Sequence, residues 1–245
     1  MVKFRPMTLE ENIENVKWAY FSSGNVHDYT INYYQELADI DNELSNDEIN
    51  KIITSVVENK YYENINLINE DVIRYNTIWK NFNDLYFMKL ASYFKIDWPK
   101  IDIIDASVGL IAVFPRYLSR FAFSVGTRLD DSILLKVVAH ETLHFMWFQK
   151  WEAIYPKIPK EEYDAPYLSW QYSEMVTDTI LNHEPFVSVF NNSFKERSYE
   201  YFYSYYDGSE LVMDKIDSIF CSDYEIEDKM KLGFEYLLTL DIDKL

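Results

Sequence analysis

Four histidines are spread over 245 residues, yet two of them stand four apart with a glutamate directly after the first, in Val138-Ala-His-Glu-Thr-Leu-His144. On an α-helix, positions i and i+4 lie on one face a turn apart. His140 and His144 can therefore present their imidazoles to one ion, as His-Glu-x-x-His helices do for zinc. Glu141 points about a quarter-turn away, suited to hold a water at that ion and take its proton. Val137, Val138, Leu143, Phe145 and Phe148 make the surroundings apolar, so three ionisable side chains there need compensation. Two core histidines satisfied by hydrogen bonds are the plainer reading of the same residues.

A catalytic zinc takes a third protein ligand and leaves the fourth position to water. Trp147 and Lys150 stand where a Gly-x-x-His extension of the motif would be, so that pattern is absent. Ser173-Glu-Met-Val-Thr-Asp178 offers a glutamate on a second helix, with an acidic partner at i+4. Glu174 can ligate the ion, and Asp178 can accept the spare ring N–H of a ligand histidine. Flanking Trp170, Met175, Val176, Ile180 and Leu181 argue against a merely solvated acidic face. Among the rivals, Glu152 is too far along the motif helix. Glu161, Glu162 and Asp164 fall in a polar, Pro-broken segment, and His183 lies over two turns beyond Glu174.

His140-Glu-Thr-Leu-His144 with Glu174-x-x-x-Asp178 resembles the gluzincin metallopeptidases, the thermolysin-like branch of the zincins, over about residues 100–183. The resemblance implies one Zn2+ held by His140, His144 and Glu174, with Glu141 as general base. Asp178 would hydrogen-bond a ligand histidine, His140 by that likeness. It further implies a two-lobed zincin-like fold and a peptide or protein substrate laid along a strand by backbone hydrogen bonds. Arg120–Val125 is the candidate strand, with Phe121, Phe123 and Val125 as substrate-edge residues. No motif marks the oxyanion-stabilising group. His183, Tyr201, Tyr203 and Tyr205 are the candidates, for oxyanion or substrate contact.

The elements that must position these residues read as follows. Thr8-Leu-Glu-Glu11 and Ser45-Asn-Asp-Glu48 look like capping boxes, each ahead of an apolar stripe at helical spacing. A third helical stretch covers about 70–94, and the Tyr- and Asn-rich segments 25–35 and 59–66 read as connections. Residues 101–104, 108–114 and 120–125 read as strands. Asp130 or Asp131 caps the motif helix, which runs to about Trp151; Asp164 caps the next, with Pro166 in its first turn. The remainder, 190–245, reads as helical, acidic and Tyr-rich. The expected class is α+β and helix-rich, with a small mixed sheet on the motif helix. A single two-lobed domain is expected, 1–150 as the N-terminal lobe and 151–245 as a helical C-terminal lobe carrying the third ligand.

Hydrophobic residues make up 48% of the chain and only five are glycine, which favours packed helices over a turn-rich β fold. A net charge of −18 disfavours nucleic acid or an anionic membrane as partner. One cysteine excludes an internal disulfide. The start lacks an apolar signal core and no apolar run spans a bilayer, so a cytoplasmic protein is expected. Asn191-Asn192-Ser193 fits a glycosylation sequon that such a location leaves unused. Two functions compete: a zinc-dependent peptidase, and a non-catalytic zincin-fold binding or scaffold protein that retains the metal. The intact Glu141 favours the first, because a structural site needs no base.

Overall fold

The computed structural model describes residues 1–41, 43–97 and 103–240, which fall into two compact units. One comprises Met1–Asn81 and Asp102–Asp131, the other Phe82–Ile101 and Ser132–Leu245. The units interleave along the chain, so they divide it at other points than the expected 1–150 and 151–245 lobes. The motif helix and the Glu174 helix belong to one unit. The class is as expected, α+β and helix-rich with a small mixed sheet. Among the described residues no helix is long and apolar enough to cross a membrane.

The first unit contains strand β1 (Val2–Pro6), helices α1 (Leu9–Phe21), α2 (Asn25–Tyr33) and α3 (Asn46–Trp79), and strands β2 (Ile104–Gly109), β3 (Arg116–Tyr117) and β4 (Ala122–Gly126). The sheet order is β1-β2-β4-β3, with β1, β2 and β4 parallel and β3 antiparallel. Both capping boxes are present, at Thr8/Glu11 and Ser45/Glu48. The segments 25–35 and 59–66 are not connections, since α2 occupies the first and α3 runs through the second. No Gly or Pro interrupts 46–79, and its buried positions Ile49, Ile53, Val57, Ile68, Tyr75 and Trp79 recur at helical spacing. Tyr61 bridges the gap in that stripe, its hydroxyl donating to the Met7 carbonyl at 3.2 Å.

The strand expected at 101–104 falls on residues 101 and 102, outside the described residues; β2 begins at Ile104 and ends before most of the 108–114 run. The expected substrate edge is also corrected. β3 pairs with β4 through Arg116↔Phe123 and Tyr117↔Ala122, so β4 lies inside the sheet. Phe123 and Val125 are buried, and Phe121 precedes the strand in a left-handed conformation (φ 49°).

The second unit contains helices α4 (Asn83–Phe94), α5 (Asp131–Ile154, one residue of which belongs to the first unit), α6 (Leu168–Leu181) and α7 (Phe186–Val189). A small hairpin, β5 (Tyr206–Asp207) and β6 (Glu210–Leu211), leads into α8 (Val212–Phe220) and α9 (Ile226–Thr239). Its core is aromatic: Trp147 and Trp151 of α5 stack 5.8 Å apart, and the Tyr172 ring of α6 meets both. Tyr172 donates to the Met230 carbonyl of α9 at 3.1 Å. A Cβ at Gly233 would collide with that phenol, so glycine is what lets ring and helix meet. Asp164 does not cap α6. Tyr167 holds the cap position without a side-chain bond, Leu168 is the first helical residue, and Pro166 follows a cis bond outside the helix.

Candidate metal centre

α5 is buried on nearly every side, from Leu134 to Trp151, and α6 is buried from Tyr172 to Leu181. Their facing residues converge as the helical spacing requires. His140 Nε2 lies 3.1 Å from His144 Nε2 and 3.1 Å from Glu174 Oε2, and His144 Nε2 lies 3.4 Å from Glu174 Oε1. Four ligands placed tetrahedrally about 2.0–2.1 Å from an ion stand about 3.3 Å from one another. The separations within this triangle of residues are close to that value, with the two imidazole nitrogens meeting different oxygens of Glu174, Oε2 and Oε1, and one ligand atom from each residue lies within 4.8 Å of the others. The donor set, two imidazoles and one carboxylate, suits zinc and its neighbours and does not suit magnesium or calcium.

The electrostatics point the same way. Burial opposes ionisation of Glu174, yet His144 and His140 hold its carboxyl well below the usual carboxylate range. Burial likewise opposes charging of His140, yet Glu174, Glu196 and Glu141 hold its imidazole well above its ordinary value. The centre favours positive charge, whether protons or a metal ion carry it. Glu141 is buried beside the triangle at 8% exposure.

The other nitrogen of His140 faces residues that the sequence did not mark. Ser198 Oγ lies 3.4 Å from His140 Nδ1, and the same hydroxyl donates to Asp178 Oδ1 at 2.6 Å. Asp178 also accepts the Ser198 backbone N–H at 2.8 Å and the Tyr203 hydroxyl at 2.8 Å. Asp178 thus reaches His140 through Ser198, a correction to the direct bond expected. With the Ser198 proton committed to Asp178, Oγ is left to accept the Nδ1–H of His140. With an ion in place of the Nε2 proton, that arrangement would favour the tautomer whose Nε2 lone pair faces the ion. Burial pushes the Asp178 carboxyl up despite these bonds.

Glu196 is the second residue that sequence reasoning missed. Its side chain is buried, with Oε1 3.8 Å from both His140 Nδ1 and Lys136 Nζ. Asn182, just past α6, clamps its backbone, donating to the Glu196 carbonyl and accepting its N–H, each at 2.8 Å. Asn191 and Asn192 hold left-handed turns (φ 52° and 55°) that begin this segment, a conformation asparagine tolerates. Irregular backbone has no periodicity, and nothing in the pattern of 190–204 distinguishes Glu196 and Ser198 from surface residues.

The tyrosine candidates separate. Tyr203 is committed to Asp178. Tyr201 is pushed up to about 12 by burial, then by Tyr205 and by the Glu174 carboxylate. Tyr205 packs against Tyr201 at 5.9 Å between ring centroids. His183 pairs instead with Asp217 of α8, at 2.8 Å. No protein-family model matches the chain, and no curated protein and no solved structure matches it either.

Proposed function

We propose that this protein is a zinc-dependent peptidase of gluzincin type, with a zincin-like arrangement of its elements. The observation that carries the reading is the triangle of His140, His144 and Glu174, with ligand-atom separations of 3.1–3.4 Å and Glu141 buried next to it. These three residues would hold one zinc ion, which when bound would acidify a water and polarise a carbonyl.

The remaining chemistry falls to the chain's own groups. Glu141 takes a proton from the attacking water as its oxygen joins the carbonyl carbon. It then delivers that proton to the amide nitrogen as the C–N bond breaks, leaving a carboxylic acid and an amine, and the acid's proton passes to the amine to give carboxylate and ammonium. The Asp178–Ser198 pair keeps the His140 ring oriented throughout. Tyr201, protonated at any working pH, supplies a hydroxyl donor for the developing oxyanion. The reading rests on the geometry of the site and on the presence of a base that a purely structural site would not need.

The test is a digest of a peptide library by protein purified without chelators, run with chelator, after zinc restoration, and beside Glu141→Gln. Chelator-sensitive cleavage, restored by zinc and lost in Glu141→Gln with zinc content unchanged, is expected. Stoichiometric zinc without cleavage would favour the binding or scaffold function. Absence of any stoichiometric transition metal would remove the reading.

A further inference from the structure

We propose that His183, Asp217 and Cys221 form a second cation site, one that takes a divalent transition metal with affinity for sulfur. The three residues come from two elements that meet in the second unit. Asp217 and Cys221 are one turn apart at the C-terminal end of α8, and His183 lies two residues past the end of α6. His183 Nε2 is 2.8 Å from Asp217 Oδ1, Cys221 Sγ is 3.8 Å from Asp217 Oδ2, and one ligand atom from each residue lies within 4.8 Å of the others. Tetrahedral zinc or cobalt with N, O and S donors needs separations of about 3.3–3.6 Å. The observed distances bracket that range, and rotamer adjustments of about 1 Å, which partly exposed side chains can make, would close the set.

The donor types choose the ion. An imidazole, a carboxylate and a thiolate suit zinc, cobalt or a similar borderline ion, and exclude magnesium and calcium, which take oxygen alone. Binding would release the thiol proton of Cys221 to solvent. The cluster borders a cavity of about 420 Å³, which gives an ion an open fourth position for water or a small ligand. Lys229 lines the same cavity, but its ammonium is tied to the Phe220 carbonyl at 2.8 Å. That cation and the exposure of His183 make the site weaker and more exchangeable than the buried triangle.

The inference does not depend on peptidase activity, and the composition of the chain supplies its test. Cys221 is the only cysteine, and the His140/His144/Glu174 set contains no sulfur. A cobalt–thiolate charge-transfer band in the near ultraviolet can therefore come only from Cys221. Titrating the full chain with cobalt(II) alone should produce a saturable band, absent in Cys221→Ser. His183→Ala and Asp217→Ala should each raise the half-saturation concentration by about tenfold or more. The band should survive His140→Ala, which empties the other centre. No band at cobalt concentrations about a hundredfold above those that fill the buried triangle would overturn the proposal. So would a band indifferent to both His183→Ala and Asp217→Ala, because a thiol acting by itself would then suffice.

Discussion

Ser198→Ala deletes a single oxygen, the one placed between Asp178 and His140. The change leaves the Asp178 contacts from the Ser198 N–H and the Tyr203 hydroxyl in place, so the segment should stay folded. What His140 loses is the acceptor for its Nδ1–H; the nearest remaining carboxylate, Glu196, is 3.8 Å away and poorly placed to replace it. Removing such an outer partner of a ligand histidine costs about 10–100-fold in metal affinity. That range corresponds to about 1.4–2.8 kcal/mol. The 3.4 Å separation between Ser198 Oγ and Nδ1 is long for a hydrogen bond and places the expectation at the lower end. Zinc affinity should be measured by competition with a chromogenic chelator, with circular dichroism confirming the fold. Ser198→Thr keeps the hydroxyl and should restore affinity. Asp178→Asn should weaken binding too, and the double variant should lose less than the sum, because both residues act in one chain of bonds. An affinity within threefold of the parent in Ser198→Ala, or strictly additive losses, would refute the relay.

Three further outcomes are expected. Tyr201→Phe should lower kcat by about 10²-fold with zinc content unchanged, the effect of losing one oxyanion donor; unchanged kcat would dismiss Tyr201 from that role. Gly233→Ala should destabilise the second unit by about 1–3 kcal/mol in chemical denaturation, because the added methyl meets the Tyr172 phenol; a stabilised variant would mean that α9 shifts freely. Arg5 bridges Glu11 and Asp105, linking β1 to α1 and β2, and its hydrogen bond to Glu11 holds that carboxyl below its ordinary 4.5. A depressed carboxylate contributes stability that is present above the unfolded value and lost as the pH falls below it. Stability should therefore drop on acidification below about pH 4.5, and less steeply in Arg5→Met.

The cluster of His140, His144 and Glu174 was legible because its spacing is local: i and i+4 on two helices fix which residues share a face, and apolar flanks predict that both faces are buried. Convergence of the two helices then followed from chemistry rather than from any contact signal. Glu196 and Ser198 were illegible for the opposite reason, since irregular backbone carries no period and their roles depend on Asn182 and Asp178 folding back on them. Among the elements, β1 escaped notice although Val2 and Phe4 alternate with polar residues. It is five residues long and pairs with β2 about a hundred residues away. The long α3 was divided at 59–66 because polarity there masked an unbroken absence of Gly and Pro. Asp164 fits a cap by type, yet the helix starts later, after the cis bond at Pro166.

One ring nitrogen of His140 faces His144 and Glu174, and the other faces a segment outside any helix, held by Asn182 and Asp178. Thermodynamic reciprocity follows from that attachment. Whatever free energy an ordered Glu196–Ser198 segment lends to ion binding, an ion must return to the ordering of that segment. At a hundredfold excess over its dissociation constant, an ion stabilises the state that binds it by about 2.7 kcal/mol. Amide exchange at residues 195–199 should then slow on zinc loading far more than exchange in α9. If the centre holds an ion, a ligand that draws Ser198 outward would loosen that ion without touching it, and occupancy would be tied to the state of the loop.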